Sequence, residues 1–175
     1  MKKLLKNMFT ISAICLAIVA CGKQEETKQE ATQATETTQG QSVGMPNPFI
    51  EAKNLDEASK LAGFTLSVPE SYEDYKKIVI QAIENDMIEV IYFNDTDNEG
   101  LRIRKAKGTD DISGDYNEYK EENVVKIGDV EVTEKGSDGD IAVVTWNDGT
   151  YSYAIDASEA KLNAEAVTNL VSNIK

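Results

Sequence analysis

No histidine occurs anywhere in the 175 residues. That removes the commonest metal ligand, the general base best poised at neutral pH, and every Ser-His or Cys-His catalytic arrangement. The only two cysteines are Cys15 and Cys21, so no disulfide braces anything downstream of them. Positive charge is scarce, with 18 Lys and Arg against 31 Asp and Glu. Such a surface does not neutralise phosphates, which excludes nucleic acid as a partner. It also argues against a domain lying flat on anionic lipid. Long apolar runs are missing too: the most apolar stretch, Met8–Ala20, has 13 residues, whereas a spanning helix needs roughly 20.

What is present near the start has a recognisable order. Lys2, Lys3 and Lys6 precede that stretch, which closes on Ile18-Val19-Ala20-Cys21 and is followed by Gly22. A positive segment, a short apolar segment and small residues before a cut define a secretory signal, here residues 1–20. The last four residues resemble the lipobox of bacterial lipoproteins. The resemblance implies a lipid on Cys21, which becomes the first mature residue, and an address on the outer face of the cytoplasmic membrane. The chain from Cys21 onward keeps 15 of the 18 bases and all 31 acids, a net charge of −16.

From Gly22 to Pro48 there is no aromatic and almost no large aliphatic residue. Thr, Gln, Glu and Lys cannot bury enough apolar surface to offset the entropy of ordering. Residues 21–48 therefore read as a lipidated cysteine on a disordered tether. Its root-mean-square reach is about 30 Å and its extended reach about 90 Å.

A single domain is expected over 49–175, with Phe49 and Ile50 as the first residues able to dock into a core. Asn54 is a good N-cap with Glu57 three residues on, Leu55, Ala58, Leu61 and Ala62 share one helical face, and Gly63 supplies a left-handed stop. Strands are expected at Phe64–Val68, Lys77–Ile83, Met87–Phe93 and around Leu101–Ala106. Further strands are expected at Val124–Ile127, Val130–Thr133, Ile141–Trp146 and Tyr151–Ile155. The nearly continuous apolar text of the second and third suggests central strands covered on both faces. Around Leu101, Ile103 and Ala106, the alternation with Arg102, Arg104 and Lys105 suggests one wet side. Asp138-Gly139 and Asp148-Gly149 are expected to make type I′ hairpin turns. After Asn163, the spacing of Val167, Leu170, Val171 and Ile174 predicts a closing helix. The class is α+β: an antiparallel sheet of about seven or eight strands with an N-terminal and a C-terminal helix packed on it.

The stretch from Asn54 to Pro69, NLDEASKLAGFTLSVP, resembles the opening of the bacterial domain of unknown function number 4367. Trp146, Tyr151, Tyr153 and a helix at 163–174 follow in that family's order. Ser71-Tyr72-Glu73-Asp74-Tyr75 departs from its usual turn. The resemblance covers about 49–175 and implies an extracytoplasmic domain of Gram-positive bacteria, with no known reaction.

Three groups of residues are candidates for function. Asp95, Asp97 and Glu99 before Gly100 resemble the first half of a calcium loop. Position twelve is Ala106 where a bidentate Glu is needed, so a hairpin of ordinary turn residues is the simpler reading. The acid-rich gap Lys107–Asn123 carries Asp110, Asp111, Asp115, Tyr116, Glu118, Tyr119, Glu121 and Glu122. It reads as a solvated loop, of a length that is often functional. Trp146, Tyr151 and Tyr153 would suit a peptide or glycan if exposed and a helix-covered core if not. Arg102 and Arg104 could receive a carboxylate or offset neighbouring acids. The functional expectation is a membrane-anchored, non-catalytic interaction module meeting a protein or cell-wall partner, with no cofactor and no metal. A sensor of envelope state is one alternative, and a carboxylate-dependent cell-wall hydrolase is another.

Overall fold

The computed structural model describes residues 46–157 and 159–175. The signal segment, Cys21 and the tether up to residue 45 lie outside the described residues. The elements are β1 Ile50–Ala52, α1 Leu55–Ala62, β2 Lys77–Ile83, β3 Met87–Phe93, β4 Glu99–Lys107, β5 Glu121–Ile127, β6 Val130–Ser137, β7 Asp140–Asn147, β8 Tyr151–Asp156 and α2 Ala164–Asn173. All eight strands join one antiparallel sheet in the order β1-β2-β3-β4-β8-β7-β6-β5. The class is α+β.

The helices form where the sequence caps them. The Asn54 side chain accepts the Glu57 N–H at 2.9 Å, and Glu57 reaches back to the Lys53 N–H at 3.0 Å. Gly63 ends α1 at φ 81, a left-handed conformation that only glycine adopts without steric cost. Asn163 caps α2 in the same way on Ala166. Both helices put their apolar residues on one sheet face. Ala58, Ala62, Val167, Leu170, Val171 and Ile174 meet Val90, Tyr92, Leu101, Ile103, Val132, Val144 and Ile155 in one core.

Several expectations need correcting. Phe64–Val68 is not a strand of the sheet. Its Ser67 instead exchanges backbone hydrogen bonds with Lys175, the last residue, while Phe64 and Leu66 are buried. The first core residue of the domain is Ala52, whereas Ile50, at the start of the outermost strand β1, faces solvent at 46% exposure. β3 is buried on both faces, but β2, beside the three-residue β1, is well covered on one only. Asp138-Gly139 has positive φ at both residues, as a type I′ turn requires. Asp148 does not; its carboxylate accepts from the Thr150 and Tyr151 N–H groups at 2.9 and 2.8 Å and holds a wider turn.

The strand order dictates the most consequential feature. β4 and β5 point the same way, with β8, β7 and β6 between them. The connection 108–120 must therefore cross the sheet, and it does so on the face opposite the helices. The acid-rich gap is thus a strap whose residues are mostly solvated, as expected, but which is tied to the sheet at the buried Ser113. Ser152 and Ala154, both buried, are small residues beneath it, and the Ser152 hydroxyl donates to the Gly108 carbonyl at 3.3 Å.

Candidate functional site

Alternation along β4 sorts the residues that sequence order runs together. Leu101, Ile103 and Lys105 face the helices, while Arg102, Arg104 and Ala106 face the strap. Lys105 therefore belongs to the apolar side, against the expectation that it would share a wet side with the arginines. Ala106, at 2% exposure, belongs with the arginines.

On the strap side Glu89 is 1% exposed, and a buried carboxylate must be paired. Arg104 Nε and Gln81 Nε2 both donate to it, and Arg102 Nη1 lies 3.6 Å away. Arg102 also forks onto Glu99 at 2.9 and 2.8 Å. Arg104 uses Nη1 to hold the strap, donating to the carbonyls of Ile112, at 3.1 Å, and Ser113. Gly114 lies so close that an added Cβ would stand 2.6 Å from that nitrogen. The arginine stripe is therefore engaged. One guanidinium neutralises a buried acid and pins the crossing chain in the same act.

Further along the strap, the Tyr119 hydroxyl donates to Asp115 at 2.6 Å. Burial and that bond push the Tyr119 phenol up to about 12. Burial tends to raise Asp115, but hydrogen bonds from Tyr119 and Asn117 outweigh it and hold its carboxyl below the usual range. Asp156 shifts the other way, raised by burial and by Asp115, with Arg102 opposing. The two acids line different grooves. Asp115 lines one of about 560 Å³ with Phe49, Ile83, Met87, Arg104, Ile112 and Tyr116. Asp156 lines one of about 600 Å³ with Asp97, Glu99, Arg102 and Glu159. The first has a largely apolar wall and, at its rim, Tyr116 with 96% of its surface exposed.

The aromatic candidates sit on the helix side. Trp146 and Tyr153 are buried, at 7% and 6% exposure, and stack with ring centroids 5.0 Å apart and planes 2° apart. The Tyr153 hydroxyl donates to Asp148 at 3.0 Å. Tyr151 is half-buried against Phe64, with centroids 4.9 Å apart. These rings enclose the chain's own cation: Lys105 Nζ lies 4.5, 5.2 and 5.6 Å from the centroids of Tyr151, Tyr153 and Phe64, and donates to the Thr65 carbonyl at 2.8 Å. Sequence reading missed Lys105 in this role. Counting by two from Leu101 finds it.

Burial holds the Lys105 amine below the ordinary lysine value, against the opposing pull of Asp148. Between its folded pKa and the ordinary value, the unfolded chain then binds more protons at this site than the folded one. The stability that Lys105 contributes is therefore expected to rise with pH through that window and to be flat below it. Urea unfolding of the wild type and of Lys105→Met, compared from pH 7 to 10.5, checks this. A stability difference that is constant or moves toward the variant as pH rises would contradict it.

Two of the three calcium candidates, Asp97 and Glu99, are held by other partners. Asp97 pairs with Lys77 at 2.8 Å, Glu99 with Arg102, and Asn94 Oδ1 shapes the turn by accepting from Thr96 and Asn98. Gly100 has a packing reason. An added Cβ would lie 2.0 Å from the Tyr75 ring. Among the described residues no group of three or more acidic or thiol side chains is placed to hold a metal ion.

No family model, no curated protein and no solved structure matches this chain.

Proposed function

We propose that this chain is a lipid-anchored extracytoplasmic domain that binds a protein or cell-wall partner without catalysing a reaction on it. The anchor rests on the sequence around Cys21 and on the resemblance of Ile18-Val19-Ala20-Cys21 to a lipobox. The family likeness of the 54–69 stretch supports the same address. The observation that carries a binding role is the groove beside the strap. It has apolar walls from Phe49, Ile83, Met87 and Ile112, with a fully presented tyrosine at its rim. An exposed aromatic beside a concave apolar wall is a common anchor for a partner side chain. The strap puts Tyr116 there and Arg104 holds the strap, so the groove is built on the rigid sheet beneath it.

Cys21→Ala is expected to move the protein from washed membranes to the soluble extracytoplasmic fraction with its melting temperature unchanged. Retention of the variant in membranes ends the anchor reading. The binding reading is checked by a photo-crosslinker placed at Tyr116 in intact cells. A discrete adduct is expected there and not with the crosslinker at Ile50. Equal labelling at both positions removes the groove from consideration.

A further inference from the structure

The free edge of β5 carries a self-complementary pattern. β5 and β6 are joined by the two-residue turn Gly128-Asp129, with Gly128 at φ 60 and Ile127 opposite Val130. In such a hairpin the residues flanking the turn form a hydrogen-bonded pair, and bonded and non-bonded pairs then alternate along the ladder. Asn123, Val125 and Ile127 therefore direct their N–H and C=O groups toward β6. Glu122, Val124 and Lys126 direct theirs away from the sheet. Among the described residues no strand pairs with this edge. Val124 is 66% exposed, in contrast to the other valines of the sheet interior.

We infer that β5 pairs with β5 of a second copy of this chain, antiparallel and centred on Val124, joining two sheets into one. A two-fold axis at Val124 sets Val124 opposite itself, Glu122 opposite Lys126 of the second copy, and Lys126 opposite its Glu122. These are the three positions whose backbone groups point outward, so this register forms six hydrogen bonds and two facing ion pairs. Neighbouring centres are poorer. An axis at Glu122 or Lys126 opposes like charges, and an axis at Asn123 or Val125 still aligns outward-facing backbone groups but sets neither Glu122 nor Lys126 opposite a residue of opposite charge within the strand. Charged residues normally blunt a free edge. Here their order along the strand sets opposite charges facing one another only in the register centred on Val124, among those centred from Glu122 to Lys126.

The contact is small and each copy is strongly acidic, so a weak association is expected, with Kd on the order of 0.1 mM. Screening of the net charge by about 0.15 M salt favours it. If both copies are anchored to one membrane, as proposed above, confinement raises their effective concentration. The solution test does not depend on that anchor.

The test uses residues 22–175, which keep every residue of the described core and contain no cysteine. Sedimentation equilibrium at protein concentrations up to about 1 mM is expected to show a monomer–dimer equilibrium. Val124→Pro should abolish it while the domain stays folded, because the lost N–H faces away from β6. Glu122→Lys and Lys126→Glu should each weaken it several-fold, and the two together should restore it. Val124→Cys should cross-link readily under mild oxidation, since Cα atoms of a hydrogen-bonded pair stand about 5.5 Å apart, within disulfide reach. A cysteine at Tyr116 should not. A wild type that stays monomeric throughout overturns the inference. So does a dimer indifferent to Val124→Pro, or a charge swap that fails to restore pairing.

Discussion

Arg104→Ala is expected to lower the free energy of unfolding by about 3–5 kcal/mol, the range for breaking a buried ion pair from one side. Glu89 would be left at 1% exposure with only Gln81 and the more distant Arg102 to answer it. The carbonyls of Ile112 and Ser113 would lose their donor at the same time. The second loss separates this substitution from an ordinary core defect. The strap should open locally, so limited proteolysis should cut within 108–120 well before global unfolding. Arg104→Lys keeps the charge but not the planar fork and should recover only part of the stability. Glu89→Leu with Arg104→Met removes both charges and should be closer to wild type than either single loss of charge. Denaturant melts of these variants, with strap cleavage followed in parallel, check the prediction. A loss under about 1 kcal/mol, as for a surface pair, with no new cleavage would show that the pair does not hold the strap.

That prediction concerns the part of the molecule that was least legible in the sequence. Local chemistry was readable wherever a residue acts on its near neighbours. Asn54 and Asn163 cap, Gly63 stops a helix, and Asp138-Gly139 turns a hairpin. The apolar spacing from Val167 to Ile174 finds its core. Strand order is different. Nothing near Lys107 or Glu121 says that β8, β7 and β6 will fill the space between β4 and β5, because that pairing is decided by sequence-distant contacts. Without that order, a run of Asp, Gly and Ser looks solvated, and the burial of Ser113 and the grip of Arg104 on the strap are invisible. Lys105 is an intermediate case. Strict alternation from Leu101 places it among the rings, but grouping it with Arg102 and Arg104 by charge hides that parity. Charge type is a poor guide to facing when aromatic rings can accept a cation.

The aromatic side of the sheet gives the other large effect. Trp146→Ala is expected to cost about 3–5 kcal/mol. At this chain size that lowers the melting temperature by about 10–20 °C. The indole is 7% exposed and stacked flat on Tyr153, opposite Val132 in the ladder. Its removal leaves a cavity between rigid strands that cannot close in. The consequences should extend to Lys105, since Tyr153 is one wall of its enclosure and is positioned from the other side by the indole. Trp146→Ala and Tyr153→Ala should therefore be non-additive, the double variant losing less than the two single losses combined. Tyr153→Phe keeps the ring and removes only the bond to Asp148, so about 1 kcal/mol is expected. Had these rings formed a partner surface, Trp146→Ala would leave the melting temperature near wild type and reduce binding alone. Thermal melts of the single and double variants distinguish the two roles directly. The buried stack and the internal lysine place the aromatic row in the core, which leaves Tyr116 on the strap as the fully exposed aromatic among the described residues.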